Sequence, residues 1–287
     1  MTLEHSFTRI EIVDRLRESM RAGKPIVGAG ASCGLIAKAA ELGGADLIIV
    51  YSTGKSRLMG LPTTPLGDAN KVTLEMFDEI ENVVRDTPII GGALATDPTY
   101  MDLKKLLGKF RGAGYSGVIN FPNVSTYGDE RGARMDDAGM GISREFEMIR
   151  LAHEQDYFTM AYSYTSNQAK RMAAAGVDVQ VAHVGWTVGG LVGRSAERAP
   201  SLDAAAEMVQ TMIEITLQEN PDCICLAHGG PYDTPENTQA LYEQTDAKGF
   251  VGASSIERIP VERAVSGAVA AFKAMPMPRT QSVATPT

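Results

Sequence analysis

The stretch CICLAHGGPYDTPEN, Cys223–Asn237, runs an apolar segment straight into a histidine, two glycines and a proline, and then into a helix start. Cys223–Ala227 shows no polar/apolar alternation, so it reads as a strand buried on both faces, as in a parallel sheet covered by helices. Thr234-Pro235 supplies a capping side chain followed by proline at the first helical position. Strand, glycine turn and helix in that order form half of a β/α crossover unit.

Outward from this stretch the same grammar recurs. PIVGAGAS (25–32), ADLIIVYS (45–52), PIIGGALA (88–95), GVINFPNV (117–124), YFTMAYSY (157–164), VDVQVAHVG (177–185) and GFVGASSIE (249–257) complete eight near-continuous apolar runs. Segments of helical periodicity separate them, such as YMDLKKLLGKFRGAG (100–114), REFEMIRLAHEQ (144–155) and DAAAEMVQTMIEITLQE (203–219). Asp97-Pro98 reads as a second capped helix start, and Gly43, Gly114 and Gly176 as the left-handed residues that end helices. Eight units of about 32 residues predict a (β/α)₈ TIM barrel occupying 1–275, with an extra N-terminal helix over 8–23 plugging the N-terminal mouth and a flexible tail over 276–287. The rival, a doubly wound open sheet, wants G-x-G-x-x-G after the first strand. Gly28, Gly30 and Gly34 miss that spacing by one position.

The chain has 287 residues, 44% hydrophobic and 22% charged, with a formal net charge of −8. That balance suits a sizeable core and argues against nucleic acid, whose binders carry a basic field. No run approaches the length of a membrane span or a signal peptide, so a cytoplasmic protein with no membrane partner is expected. Cys33, Cys223 and Cys225 make an odd count, and the C-x-C pair lies within a strand, which reads as reduced structural thiols.

Barrel enzymes place their functional groups where strands leave the sheet at their C-terminal ends. Those positions here hold Ser32; Tyr51, Ser52 and Arg57; Thr96 and Asp97; Asn120 and Asn123; Tyr162; His183; His228, Gly229 and Gly230; and Ser254, Ser255 and Glu257. AHVG and AHGG set His183 and His228 at equivalent ends of consecutive strands, where two imidazoles could move protons on one substrate. Buried histidines satisfied by backbone groups are the plainer reading. Gly229, Gly230, Ser254 and Ser255 suit an anion subsite, or simply tight turns. Asp97 serves as a ligand group or as a cap. Arg57 and Lys55 offer positive charge, and Glu257 a carboxylate to orient a histidine or act as a second base. His183, His228, Asp97 and Glu257 could together hold Zn²⁺, or carboxylates with waters could hold Mg²⁺, so a divalent metal stays open. His5 and His153 are given no role. Long segments over 52–71 and 121–143, and GWTVGGLVGRSAERAPS (185–201) with Trp186 and Gly189-Gly190, should cover a ligand or meet another subunit, and a homo-oligomer is expected.

GAGASCGLIAKAAELGGADLIIVY, GDAN, FPNV, AGMG, HVGWTVGG, HGGP and GASSIERIP together resemble the phosphoenolpyruvate hydrolase-like family of TIM barrels. That family is related in fold to the phosphoenolpyruvate/pyruvate superfamily and to the C-terminal barrel of a plant virus-resistance protein. The resemblance covers about residues 8–275. It implies a barrel and a lyase or hydrolase acting on a small anionic or enol-type substrate, a 2-oxo acid or a phosphoenolpyruvate- or phosphonopyruvate-like compound; a ligand-sensing or protein-binding barrel is the alternative. His183, Gly185, Gly189 and Gly190 fall on the family's sixth-strand motif, and His228–Pro231 and Gly252–Glu257 on its last two. Ser52 and Lys55 stand where the family leads one to expect Asn and Arg, and the aspartate-rich Mg²⁺ motifs of phosphonopyruvate-cleaving enzymes are missing.

Overall fold

In a computed structural model of the chain, which describes residues 6–127 and 129–277, all eight apolar runs are strands. They are β1 (Ile26–Gly30), β2 (Leu47–Val50), β3 (Ile89–Gly92), β4 (Gly117–Ile119), β5 (Phe158–Ser163), β6 (Val179–His183), β7 (Ile224–His228) and β8 (Gly249–Gly252). Each pairs in parallel with its neighbours and β8 pairs back to β1, closing the ring of a (β/α)₈ barrel. Twelve α-helices are described: α1 (Arg9–Arg21), α2 (Gly34–Leu42), α3 (Ser52–Leu58), α4 (Ala69–Glu75), α5 (Phe77–Glu81), α6 (Leu103–Ala113), α7 (Asp129–Asp137), α8 (Ser143–Glu154), α9 (Ser166–Ala174), α10 (Leu202–Glu219), α11 (Pro235–Gln244) and α12 (Ile259–Lys273).

Two-residue periodicity sorts the strand side chains into an inner and an outer set. Ile26, Leu47, Ile49, Ile90, Ile119, Phe158, Met160, Val179, Val181, Leu226 and Val251 fill the interior as one cluster, which also takes in Ile12 and Leu16 of α1. α1 therefore stops one end of the barrel, and its polar contacts identify which. Arg9 binds Asp178, Arg15 donates to Asp86 O, and Ser19 donates to Asp46, each a residue just before a strand. This is the N-terminal rim. Thr8 caps α1 with a reciprocal Glu11 box.

Local signals behave unevenly. Thr234 caps α11 with Pro235 behind it, and Gly114 ends α6 at φ 109°. Asp97-Pro98 does not start a helix: α6 is capped by Asp102, while Asp97 accepts from Thr99 N. After α2 the left-handed residue is Gly44 (φ 88°), and Gly43 stays at φ −76°. The segment 52–71 carries α3, and 121–143 carries a 3₁₀ turn at Val124–Tyr127 and α7. The three cysteines are free, with Cys223 and Cys225 buried. Among the described residues no helix is long and apolar enough to cross a membrane. His5, and residues 278–287 of the expected tail, lie outside the described residues.

Candidate active site

β6 and β7 run in register, so His183 pairs directly with His228. Both side chains take the inward position and their rings meet at 4.7 Å between centroids, 62° apart in plane. Hydrogen bonds fix opposite tautomers. His183 Nδ1 accepts Gly185 N–H at 3.1 Å, which leaves its proton on Nε2. His228 Nδ1 lies 2.6 Å from Val251 O, a partner that only a donor suits, which leaves a lone pair on Nε2. Burial keeps both rings uncharged: it drives His183 well below its ordinary value, helped by His228, and His228 down to about 4.

An aromatic wall holds the pair. Tyr162, from the end of β5, stands 4.9 Å from His228 and 5.2 Å from His183. Tyr164 stacks on His183 at 4.2 Å, and Trp186 meets the same ring edge-on at 6.4 Å. Phe121 links Tyr162 to Tyr51. The Tyr51 and Tyr162 hydroxyls lie near enough to perturb each other, and Tyr162 Oη makes no hydrogen bond of good geometry among the described residues.

On the opposite side Arg57, from α3, reaches Glu257, from a π-helical turn at Ser254–Arg258 after β8. Arg57 Nε donates to Glu257 Oε1 at 2.6 Å, Nη2 donates to the same oxygen, and Ser32 Oγ donates to Oε2 at 2.5 Å. Glu257 is 0% exposed and Arg57 4%. Burial opposes the guanidinium's charge, but the Glu257 carboxylate more than offsets it and Arg57 is held protonated. Arg57 also stands over the Tyr51 ring, 5.4 Å from its centroid.

The remaining expected groups are placed as follows. Glu257 hydrogen-bonds neither imidazole; the orienting partners of the histidines are Gly185 N and Val251 O. Asn120 is fully engaged, donating to Glu145 Oε2 (2.8 Å) and Tyr162 O (3.2 Å) and accepting from Tyr162 N (2.7 Å). Asp97 is taken by Asn70 Nδ2 (2.8 Å) and Thr99 N (2.8 Å). Gly230 N donates to Gly185 O at 2.9 Å, so its amide joins two rim loops and is not offered to a ligand. Gly229 adopts φ 81°, and a Cβ there would stand 2.1 Å from Gly185 O. Ser52, Ser254 and Ser255 lie on the rim, and Ser52 Oγ and Ser255 Oγ have no hydrogen-bond partner among the described residues. Lys55 is exposed.

Glu145 and Tyr164 are additions that strand-end reasoning did not supply. Glu145, in the first turn of α8, accepts Val124 N at 2.9 Å besides Asn120, and burial lifts its pKa to about 8. A metal set of His183, His228, Asp97 and Glu257 does not assemble, because both carboxylates are committed elsewhere. Among the described residues no three His, Cys, Asp or Glu side chains converge as ligands. An apolar groove of about 640 Å³ runs along α12 and is lined at one end by Arg57 and Glu257 of this cluster; the two histidines do not line it. Another, of about 580 Å³, lies at the N-terminal end by Arg9, Arg17 and His153, away from the strand ends.

Comparison with known proteins agrees with this architecture. The chain is 39% identical over 274 residues to the ToMV susceptible protein tm-1(GCR26) of Solanum lycopersicum, covering 94% of this chain and 36% of that one. It is 34% identical over 275 residues to the putative transcriptional regulatory protein y4pA of Sinorhizobium fredii, covering 93% of this chain and 44% of that one. The chain thus spans well under half the length of these curated relatives. Among solved structures, oxaloacetate acetylhydrolase superposes with a TM-score of 0.61 at 14% identity, covering 98% of this chain and 93% of that one. Phosphonopyruvate hydrolase, solved with oxalate and Mg²⁺, gives 0.57 at 17% identity, covering 92% and 86%. The family described as phosphoenolpyruvate hydrolase-like matches residues 11–275, nearly the whole described barrel. A closed barrel, histidine motifs at the ends of β6 and β7 and a match of that extent lead to one conclusion: the chain belongs to the phosphoenolpyruvate hydrolase-like family.

Proposed function

We propose that the chain is a lyase or hydrolase of a small 2-oxo acid or enol-type compound, breaking a C–C, C–P or enol-ester bond beside a carbonyl by histidine acid/base catalysis. The observation that carries this reading is the pair of uncharged imidazoles in opposite tautomers 4.7 Å apart. His228 Nε2 offers a lone pair to take a proton, and His183 Nε2–H offers a donor to an oxygen gaining negative charge. Arg57, buried beside Tyr51, supplies the positive charge that an anionic substrate needs. The names of the superposed enzymes, oxaloacetate acetylhydrolase and phosphonopyruvate hydrolase, support the substrate class.

The test is a turnover screen of 2-oxo acids and their enol esters and phosphonates, with and without Mg²⁺ or Zn²⁺. His228→Ala is expected to lower kcat/KM about 10²- to 10⁴-fold while circular dichroism and the cooperative melt persist. Turnover unchanged in the folded variant would sink the reading.

One observation favours a second reading, a protein-binding barrel. α12 exposes Val261, Val265, Val269 and Phe272, and Leu191 beside it is 84% exposed. We assign this face first to a second copy of the chain, in keeping with a homo-oligomer.

A further inference from the structure

Arg57 and Glu257 meet from 200 residues apart, form a desolvated pair, and touch neither histidine through a hydrogen bond. A buried ion pair of this kind is commonly no more stabilising than well-packed apolar side chains, so it calls for a use. Its position suggests one. On its outer side the pair lines the groove along α12. On its inner side Arg57 stands near enough to Tyr51, Tyr162 and His228 to perturb all three electrostatically. The pair thus stands between that groove and the groups around His228.

We propose that Glu257 is a gate seated in the anion site: its carboxylate occupies the place on Arg57 that a substrate carboxylate takes, and binding proceeds by exchange of one for the other. The proposal rests on the reading above for the ligand's chemical class. Three features support exchange over simple addition. Arg57 Nε and Nη2 both already point at one Glu257 oxygen, so the Nε/Nη2 edge of the guanidinium is filled. Space is tight on the Ser32 side of the pair, where a Cβ added to Gly54 would stand 1.8 Å from Ser32 Oγ and 3.2 Å from Arg57 Nη2. Buried hydroxyls without hydrogen-bond partners among the described residues, Ser52 Oγ and Thr53 Oγ1 on the helix that carries Arg57 and Ser255 Oγ on the turn that carries Glu257, leave polar capacity unused on both elements that would move. The gate rides on a π-helical turn, a rare conformation that is frequent at functional sites.

Titration calorimetry of the full chain with oxalate and with pyruvate tests the gate. Glu257→Gln removes the competing charge and keeps the shape, and it is expected to bind oxalate about tenfold more tightly, a gain abolished in the Arg57→Met/Glu257→Gln double variant. Should Glu257→Gln fail to fold, Ser32→Ala decides: it keeps the ion pair but removes one anchor of the gate, with an expected gain of about threefold. Unchanged or weaker oxalate binding in the folded variants overturns the proposal. Turnover by the wild type without that gain removes the gate and leaves the enzyme reading standing. The gain without turnover of any compound in the screen leaves the gate standing and removes the enzyme reading.

Discussion

At the scale of single residues the site is governed by which groups are denied water. His228, held to about pH 4 by burial, stays neutral in the fold while the unfolded chain takes up a proton near 6.5. Its contribution to stability is complete above pH 6.5 and is lost as the pH falls from there to about 4, on the order of 3 kcal/mol. Glu145 works in the other direction. Its folded value of about 8 lies above the unfolded 4.5, so its contribution is complete below 4.5 and is lost as the pH rises to 8. His183, driven well below its ordinary value by burial, adds to the His228 side, so the two histidines outweigh Glu145 below pH 6.5; urea unfolding between pH 4 and 9 is therefore expected to show maximal stability near pH 6.5, and Glu145→Gln to flatten the decline above it. A decline that persists in that variant would remove Glu145 as its source. The sequence exposed one of these two groups and hid the other. A histidine that ends an apolar run announces itself. Glu145, within SREFEMIR, has the look of a solvent-facing position on an amphipathic helix, and only its distant partners Asn120 and Val124 N draw it inside. The union of Arg57 with Glu257 was equally illegible, since nothing local links residues 200 apart.

At the scale of elements, strands were read reliably because burial on two faces leaves a continuous apolar run that no helix of this length imitates. Helix starts were less secure. A side-chain oxygen accepting a nearby backbone N–H serves a cap and a turn alike, so Thr234 began a helix while Asp97 merely folded a loop. α12 is the element whose pattern is incomplete. Of its 15 residues only Ile259 is buried, and Val265 and Val269 are about 60% exposed, at 58% and 62%. If a second copy covers this face, Val265→Asp/Val269→Asp should shift the chain to monomer in light scattering and leave its circular dichroism unchanged. A wild type that is monomeric at high concentration would defeat that assignment. The glycine pair after β7 also belongs here: a Gly230→Ala change is strained at φ 57° and crowds Val184 O at 2.9 Å, and should lower the melting temperature by several degrees.

For the whole molecule, ring closure is the decisive event. β8 returns to β1 through Gly249 opposite Ile26, and a Cβ on Gly249 would come 2.0 Å from Ile26 O. Gly249→Ala is expected to cost about 3 kcal/mol or more, read as a lower denaturation midpoint with a single transition; a neutral result would mean that the seam has slack. α1 seals the far end with Ile12 and Leu16, as its place before β1 suggested. Because His183 and His228 stand on one rung of a hydrogen-bonded ladder, their separation is gauged by the roughly 4.8 Å between adjacent strands. Such a jaw cannot be widened by swapping side chains. Descendants of this barrel that acquire new substrates must do so by reshaping the surrounding loops, while the bite itself keeps its span.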